Sequence, residues 1–325
     1  MSTAPAAAPT FDPQAGVIEV VGLTKRFGPV HAVEDLTFRV SPGRVTGFLG
    51  PNGAGKTTTL RLLLGLATAN AGTATIGGRR YADFPRPASH VGAALEASSF
   101  HPGRTARDHL RAYAPQVGVG DDRCDEVLAA VGLTEAADRR AGGFSMGMRQ
   151  RLALATTLLG DPQVLLLDEP ANGLDPEGIK WLRTFLRYLA AQGRTVLVSS
   201  HVLSEVEQTV DDVVIISRGR LVRACSLPEL EAMARPAVRV SSPDAAGLAA
   251  LVEAQEWGEL ARFDAPTSVV VLDQDCAEVG RLAHDRGLLL HQLSPAGTSL
   301  EALFLQLTGG PGPTGTSATD AGAVR

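Results

Sequence analysis

The feature that most constrains this chain is a glycine-rich turn between an apolar strand and an apolar helix. Residues 45–50 read VTGFLG, residues 50–57 fit the pattern G-x-x-x-x-G-K-[ST], and residues 58–66 read TTLRLLLGL. Glycines let the backbone turn so tightly that successive N–H groups point inward, and the positive end of the following helix attracts anionic oxygens. The pattern predicts a phosphate-binding loop made of Gly50, Pro51, Asn52, Gly53, Ala54, Gly55, Lys56, Thr57 and Thr58.

Two side chains at the end of this loop have predicted roles of their own. Lys56 is expected to meet the β- and γ-phosphates of a nucleotide, and the Thr57 hydroxyl is expected to bind Mg²⁺. The alternative is a glycine-rich strand-to-helix turn that carries an exposed lysine. The strand before the loop and the helix after it favour the phosphate site.

A second apolar run, at residues 164–167, ends in two carboxylates, Asp168 and Glu169. Paired acids at the end of a buried strand suit separate roles. Asp168 is expected to hold Mg²⁺ directly or through water, and Glu169 is expected to act as general base on the attacking water. The alternative is an acidic strand end that caps the next helix. The phosphate loop in the same chain favours the hydrolytic role.

The larger part of the chain, residues 16–225, alternates short apolar runs with amphipathic stretches. The runs VTGFLG, QVLLLDEP and TVLVSSH are apolar on both faces, which is typical of parallel strands buried between helices. Functional groups are then expected at the carboxyl ends of these strands. Residues 213–222 differ, because two apolar runs flank Arg218 and Gly219 and predict a hairpin.

Residues 226–308 repeat this alternation on a smaller scale and predict a small α+β domain. Its predicted elements are a strand at 238–241, a helix at 245–254, strands near Leu260 and Val269, a helix at 277–286 and a strand at 288–293. This βαββαβ order matches a ferredoxin-like unit. A last helix is expected to start at Ser299, whose hydroxyl can cap it. Residues 1–15 and 309–325, which are rich in Ala, Pro, Gly and Thr, are predicted to be disordered.

Composition excludes several classes of protein. A net charge of -5 with interspersed signs offers no basic face, so nucleic acid is not an expected partner. No run approaches the roughly 18–20 apolar residues that cross a bilayer, and the start of the chain lacks a signal pattern, so we expect a cytoplasmic location. The three cysteines, Cys124, Cys225 and Cys276, lack metal-ligand spacing and are expected to be small buried side chains.

The segments between and after these motifs carry a more specific pattern. Residues 144–152, FSMGMRQRL, resemble the signature motif of ABC (ATP-binding cassette) proteins, and residues 172–176, NGLDP, resemble the loop that crosses the ABC dimer interface. His201 looks like the switch histidine that contacts the γ-phosphate, and Phe27 resembles the aromatic residue that stacks on adenine. Taken alone, Ser145 would be a helix cap, His201 incidental and Phe27 a core residue. The order of the motifs favours the functional roles.

This resemblance, over roughly residues 17–222, implies an α/β P-loop ABC cassette with an antiparallel β subdomain and a helical subdomain around residues 100–140, plus the small C-terminal α+β domain. It also implies that two chains close over two ATP molecules. Each ATP would lie between the phosphate loop of one chain and Ser145, Gly147 and Asp175 of the other. The implied partners are a second copy or a related ATP-binding subunit and a separate polytopic membrane permease, which would hold the chain at the inner face of the cell membrane.

Three departures from the general family pattern resemble the drug- and antibiotic-export subfamily, such as the daunorubicin and bacitracin exporters. The signature reads SMGM where the family has SGGQ, the acidic loop begins ANGLDP, and Glu96 stands where most members carry the glutamine of the Q-loop. Glu96 is therefore predicted to sense Mg²⁺ and nucleotide, the alternative being an exposed loop glutamate. Met146 and Met148 weaken the transfer of side-chain contacts in the signature, whereas backbone contacts are unaffected.

Two other classes of protein compete with a transporter subunit. ABC ATPases of DNA repair or translation usually carry two cassettes or a long coiled-coil insertion, and the sequence contains neither pattern. A purely regulatory nucleotide-binding module is disfavoured because Glu169 and His201 are both present. The transported molecule is not predicted, since the membrane subunit would hold its binding site.

Overall fold

A computed structural model of the chain describes residues 12, 14–95, 100–233, 236–296 and 300–309. The chain divides into two compact units, residues 1–227 and residues 228–325. Within the described ranges, every helix is too short or too polar to span a membrane.

The elements of the first unit follow one another as an α/β chain. They are β1 (Ile18–Phe27), β2 (Val30–Val40), β3 (Val45–Leu49), α1 (Lys56–Leu63), β4 (Ala71–Ile76), β5 (Val91–Ala94), α2 (Ala106–Val117), α3 (Asp121–Ala130), α4 (Met146–Leu158), β6 (Val164–Asp168), α5 (Pro176–Ala191), β7 (Thr195–Ser200), α6 (Leu203–Val206), β8 (Asp212–Ser217) and β9 (Arg220–Ser226). The remaining elements are α7 (Leu227–Met233), β10 (Ala237–Ser241), α8 (Ala245–Ala254), β11 (Ala261–Ala265), β12 (Ser268–Leu272), α9 (Cys276–Asp285), β13 (Gln292–Pro295) and α10 (Leu300–Thr308).

A six-stranded sheet with the order β5-β6-β7-β3-β8-β9 forms the centre of the first unit. Its first five strands are parallel, and every residue of β3 and β7 is buried, which confirms the prediction of parallel strands covered on both faces. The last two strands form the predicted antiparallel hairpin. Arg218 and Gly219 turn with φ of 50° and 80°, which is the positive-φ pair that a tight hairpin turn requires. The parallel strands β3, β6 and β7 therefore end at one edge of the sheet.

A second sheet, β2-β1-β4, is antiparallel throughout and is the expected antiparallel β subdomain. Its inward side chains share one apolar cluster with α1 and the central sheet. The rings of Phe38 and Phe48 stack with centroids 5.3 Å apart, and Phe48 is fully buried. Burial of such a side chain contributes about 1.5–3 kcal/mol. This shared core fixes the antiparallel sheet against the helix that follows the phosphate loop.

The helical insert expected around residues 100–140 consists of α2 and α3. Thr105 caps α2 by accepting a hydrogen bond from the Asp108 N–H at 3.0 Å, and the helix ends at Gly118 with φ of 74°. The Arg111 guanidinium binds the Asp121 carboxylate at 2.7 Å and joins the two helices. Both groups lie at the surface, so the pair orients the helices more than it stabilises them.

The second unit has the βαββαβ order predicted for residues 226–308. Its four-stranded sheet has the order β11-β12-β10-β13 with antiparallel neighbours, which is the ferredoxin-like arrangement. Helices α8 and α9 pack on this sheet through Leu248, Leu251 and Val279, and Trp257 completes the core. This unit therefore has a core of its own.

One strand of the second unit differs from its predicted position at residues 288–293. Helix α9 ends in a turn in which Gly287 has φ of 67° and the Leu288 N–H donates to the Ala283 carbonyl at 2.9 Å. This helix end uses residues that the prediction gave to the strand, and β13 begins at Gln292, which pairs with Ser241. Ser299, the predicted cap of the last helix, lies outside the described residues.

Candidate active site

The phosphate loop connects β3 to α1, and every residue predicted for it lies between the end of that strand and the first turn of the helix. A Cβ atom on Gly55 would lie 2.4 Å from the Ala32 carbonyl oxygen, and its φ is 105°, so only glycine fits there. Gly50 is similarly confined, since its Cβ would lie 2.5 Å from the Ile216 carbonyl oxygen. Gly55 caps α1 without a side-chain acceptor. An anionic oxygen is the partner that such a helix start favours.

Lys56 lies inside this loop with only 6% of its side chain exposed. Its ammonium donates to the Gly50 carbonyl oxygen at 2.7 Å and lies 3.4 Å from the Pro51 carbonyl oxygen. It also lies 3.4 Å from Oε1 of Glu169. The cation is therefore fixed between the phosphate loop and the acidic strand end, where it can neutralise charge on either side.

Asp168, the last residue of β6, has a hydroxyl partner for each carboxylate oxygen. The Thr57 hydroxyl donates to Oδ2 at 2.7 Å, and the Ser199 hydroxyl donates to Oδ1. Thr57 and Asp168, two of the residues predicted to interact with Mg²⁺, are thus in direct contact. A hydroxyl and a carboxylate are hard oxygen donors of the kind that Mg²⁺ prefers, so this pair fits the predicted ion.

Glu169 follows β6 in the left-handed region, with φ of 49°. Its backbone N–H donates to Oγ of Ser199 at 3.0 Å. Its carboxylate lies between Lys56 and His201, and Nδ1 of His201 is 2.9 Å from Oε2. The structure therefore gathers the predicted phosphate binder, metal ligands, base and switch histidine at the shared edge of β3, β6 and β7.

Ser145, Gly147 and Asp175 lie at a different place on the first unit. Ser145 caps α4 by accepting from the Met148 N–H at 3.2 Å, and Asp175 caps α5 by accepting from the Gly178 N–H at 2.8 Å. All three predicted residues line one open groove of about 860 Å³. Within the part of the chain that the structure describes, no residue of the phosphate loop lines this groove. The two sets of predicted ATP contacts are thus not brought together within one chain.

Two residues of the site, Ser199 and Gln150, were given no individual role from the sequence. Ser199 bonds both acidic residues, as described above. Gln150, on α4, is buried and donates from Nε2 to the Pro170 carbonyl oxygen at 2.6 Å. It ties the signature helix to the residue that follows Glu169. A single sequence gives little indication of such a role, because the side chain is neutral and its burial is visible only in the structure.

The sequence also predicts nucleotide contacts for Phe27 and Glu96. Phe27 ends β1 with 52% of its surface exposed, and the ammonium of Lys25 lies 4.8 Å from the ring centroid. An exposed ring fits adenine stacking better than a core position, and the adenine contact stays a prediction. Glu96 lies outside the described residues, so its role as a metal and nucleotide sensor also stays a prediction.

Comparison with known proteins agrees with this geometry. The family described as ABC transporter matches residues 33–172, and a domain of unknown function matches residues 236–301. The chain is 35% identical to the uncharacterized ABC transporter ATP-binding protein YdbJ of Bacillus subtilis, over 90% of this chain and 95% of that protein. It is also 35% identical to the bacitracin transport ATP-binding protein BcrA of Bacillus licheniformis, over 90% of this chain and 98% of that protein.

The fold is similar to solved structures of the same class. A structure described as the ATP binding subunit of an ABC transporter superposes with a TM-score of 0.61 at 29% identity. The superposition covers 67% of this chain and 92% of the chain in that structure.

Proposed function

We propose that this chain, which belongs to the family of ABC transporter ATP-binding proteins, powers the export of antibiotics or other hydrophobic compounds through a separate membrane permease. Proteins of this family are ATPases whose activity is coupled to transport. The export of antibiotics is proposed from BcrA, a relative over nearly its whole length that is described as a bacitracin transport protein. We place the chain in the cytoplasm, on the inner face of the membrane.

The observation that carries the catalytic proposal is the contact set around Glu169. The carboxylate lies 3.4 Å from the Lys56 ammonium and 2.9 Å from the His201 ring, while Thr57 holds Asp168 at 2.7 Å. Binding groups and a base are thus within reach of the same phosphate. This arrangement suits a displacement in which catalysis is mainly positioning and charge stabilisation.

Each of these side chains then has a defined role in hydrolysis. Lys56 binds the β- and γ-phosphate oxygens by charge, and Glu169 accepts a proton from the attacking water. His201 orients the Glu169 carboxylate and contacts the γ-phosphate. Thr57 and Asp168 would hold Mg²⁺, which neutralises phosphate charge when it is bound. Glu96 is proposed to sense this metal and the nucleotide from the Q-loop position.

The separation of the two contact sets supports a composite site. Ser145, Gly147 and Asp175 line a groove apart from Lys56, so the signature of one chain would complete the phosphate site of a second. The second chain would be another copy or a related ATP-binding subunit. Closure over ATP and reopening after hydrolysis would drive the permease between two states, provided that ATP binds the closed dimer better than the open one.

The substitution Glu169→Gln tests the proposed base. It keeps the length of the side chain and removes the proton acceptor, so turnover should fall by at least about 100-fold, the lower part of the range for general-base loss. ATP affinity should change little, and an ATP-bound dimer should accumulate. Sizing chromatography with ATP and Mg²⁺, beside a turnover assay, measures both effects.

The matched control is Glu253→Gln, which neutralises an exposed carboxylate of α8 in the second unit. It should leave turnover and the size profile unchanged. Unchanged turnover in Glu169→Gln itself would remove that residue from the role of base.

A further inference from the structure

We propose that Ser199 is a positioning residue for hydrolysis, because its single hydroxyl fixes both the metal-binding carboxylate and the backbone of the base. This inference rests on the proposed roles of Asp168 and Glu169. Ser199 lies on β7, two residues before His201, inside the apolar run TVLVSSH, and the sequence alone assigns it no role of its own.

The register of the sheet places this hydroxyl at the junction of the two acidic residues. Strands β6 and β7 are parallel, and Asp168 lies directly opposite Ser199. The Ser199 side chain is fully buried, donates to Oδ1 of Asp168 and accepts the Glu169 N–H at 3.0 Å. A serine hydroxyl has one proton to donate and lone pairs to accept with, so one small group satisfies both neighbours.

The bond to Glu169 supports an unfavourable backbone conformation. Glu169 has φ of 49°, a left-handed conformation that costs a residue with a Cβ atom roughly 1–2 kcal/mol. Glycine would relieve this strain but would remove the carboxylate. The Ser199 oxygen gives the Glu169 N–H an acceptor at the point where the chain leaves the strand. The conformation that directs Glu169 toward Lys56 and His201 is therefore held from the backbone side as well.

The hydrogen bond from Ser199 to Asp168 orients the Asp168 carboxylate. Oδ2 of Asp168 meets Thr57, and the Ser199 hydroxyl holds Oδ1. With both oxygens held, the carboxylate has one orientation before any ion binds. Hydrogen-bond partners behind a metal ligand typically account for about 10- to 100-fold in metal affinity or activity.

The residue type itself also indicates a function beyond packing. Residues 196–198 of β7 read VLV and are buried in a parallel strand, where an apolar β-branched residue would continue the pattern. A buried hydroxyl that breaks this pattern requires partners, and both partners of Ser199 are site residues. Such local departures from the strand pattern are expected at functional sites.

The test uses the full chain with Ser199→Ala, measured for turnover and for metal binding. We expect kcat to fall about 10- to 100-fold while the KM for ATP changes by less than about twofold. Mn²⁺ serves as the metal probe, and its free concentration is followed by electron paramagnetic resonance with a non-hydrolysable ATP analogue. The dissociation constant for Mn²⁺ should rise by about tenfold, whereas metal-free nucleotide binding should not change.

The matched control is Thr195→Val, which removes another fully buried hydroxyl from the same strand. Its hydroxyl donates to the Gly16 carbonyl oxygen at 2.6 Å and does not touch the acidic residues, so kcat and Mn²⁺ affinity should stay at parent values. If Ser199→Ala fails to fold, Ser199→Cys keeps a side-chain atom at the γ position and loses the strong hydrogen bonds.

A folded Ser199→Ala or Ser199→Cys chain with parent kcat and parent Mn²⁺ affinity would overturn the inference. If the proposed role of Glu169 as general base is wrong, Glu169→Gln will keep its turnover. That result is distinguishable from a failure of the inference about Ser199. Weakened Mn²⁺ binding in the Ser199 variants would support the positioning role in that case also, because this measurement does not depend on turnover.

Discussion

Two regions of the first unit are built in opposite ways. The phosphate-loop edge comprises Lys56, Thr57, Asp168, Glu169 and His201, and the signature edge is the groove lined by Ser145, Gly147 and Asp175. At the phosphate-loop edge, charged groups are buried or half-buried and bond one another, with Lys56 only 6% exposed beside Glu169. At the signature edge, the side chains of Ser145 and Asp175 are exposed and cap the first turns of their own helices. Met146, which follows Ser145 and lines the same groove, is 50% exposed. One edge holds its reactive groups in place, and the other presents helix starts outward.

This difference indicates that the phosphate-loop edge contributes mainly to catalysis and the signature edge mainly to association with a second chain. Groups that are already oriented need no rearrangement when charge develops in the transition state, which is the main source of electrostatic catalysis. Exposed helix caps supply binding to a phosphate that another chain brings. Substitutions at the first edge should therefore impair a single site directly, whereas those at the second edge should act through association.

The largest effect is expected from Lys56→Ala at the phosphate-loop edge. This change removes the cation that binds phosphate and leaves Glu169 without its neutralising partner. Loss of one pre-oriented charged donor costs about 10²- to 10³-fold in kcat, and ATP binding should weaken as well. Nucleotide affinity by calorimetry and turnover by phosphate release measure the two effects. Parent affinity for ATP would remove Lys56 from the phosphate site.

Ser145→Arg should break the signature edge without harming the phosphate loop. An unpaired charge buried at an interface costs about 3–5 kcal/mol, which corresponds to more than about 100-fold in the dimer dissociation constant. The monomer should still bind ATP normally. Thr105→Arg removes a similar cap from α2 and is the control, since it should not alter dimer formation. A Ser145→Arg chain that dimerises like its parent would place the interface elsewhere.

Removal of residues 228–325 tests whether both edges belong to the first unit alone. The first unit has its own core, so ATP affinity should stay within about twofold of the full chain if the truncated chain remains folded by circular dichroism. Basal turnover or assembly with the permease is expected to change. Loss of nucleotide binding by a folded truncation would show that the second unit completes the site.

The smallest effect concerns His109, which lies away from both edges and lines an apolar cavity of about 380 Å³ between β5, α2 and α4. Burial, together with the charge of Arg104, lowers the pKa of His109 to about 4 from an ordinary 6.5. Between these values the unfolded chain binds a proton that the folded chain does not, so stability falls as pH decreases. The loss from pH 7 to pH 5 is about 2 kcal/mol.

His109→Phe should remove this part of the acid sensitivity, because the aromatic packing against Phe100 and Tyr113 can be kept without a titrating ring. Urea unfolding at pH 7 and pH 5 measures it, with the exposed His291→Phe as control. An equal loss of stability in parent and His109→Phe would assign the acid sensitivity to other groups. Nucleotide affinity should not change in either variant.

The sequence predicted the phosphate-loop edge well because the relevant residues follow apolar strands. Parallel strands end at one edge of a sheet, so the sequence alone predicts that Lys56, Asp168, Glu169 and His201 meet. The hairpin at Arg218 and Gly219 was equally clear, because two apolar runs flank a two-residue segment that contains a glycine.

The contacts that depend on register could not be predicted. Ser199 meets Asp168 because of one particular alignment of β6 with β7, and residues 31 positions apart carry no local signal of that alignment. Gln150 reaches Pro170 from a helix whose packing the pattern does not define. The strand predicted at residues 288–293 was displaced to Gln292–Pro295 because the glycine turn after α9 took up its first residues.

The most direct test of the account is the ATPase rate per chain as a function of chain concentration. The phosphate-loop edge and the signature edge lie apart in one chain, so hydrolysis should require two chains. The dimer dissociation constant is first measured with Glu169→Gln in ATP and Mg²⁺. The parent chain should then show a rate per chain that rises in proportion to concentration below this constant and levels off above it. A rate per chain that is flat across the same range would contradict the composite site.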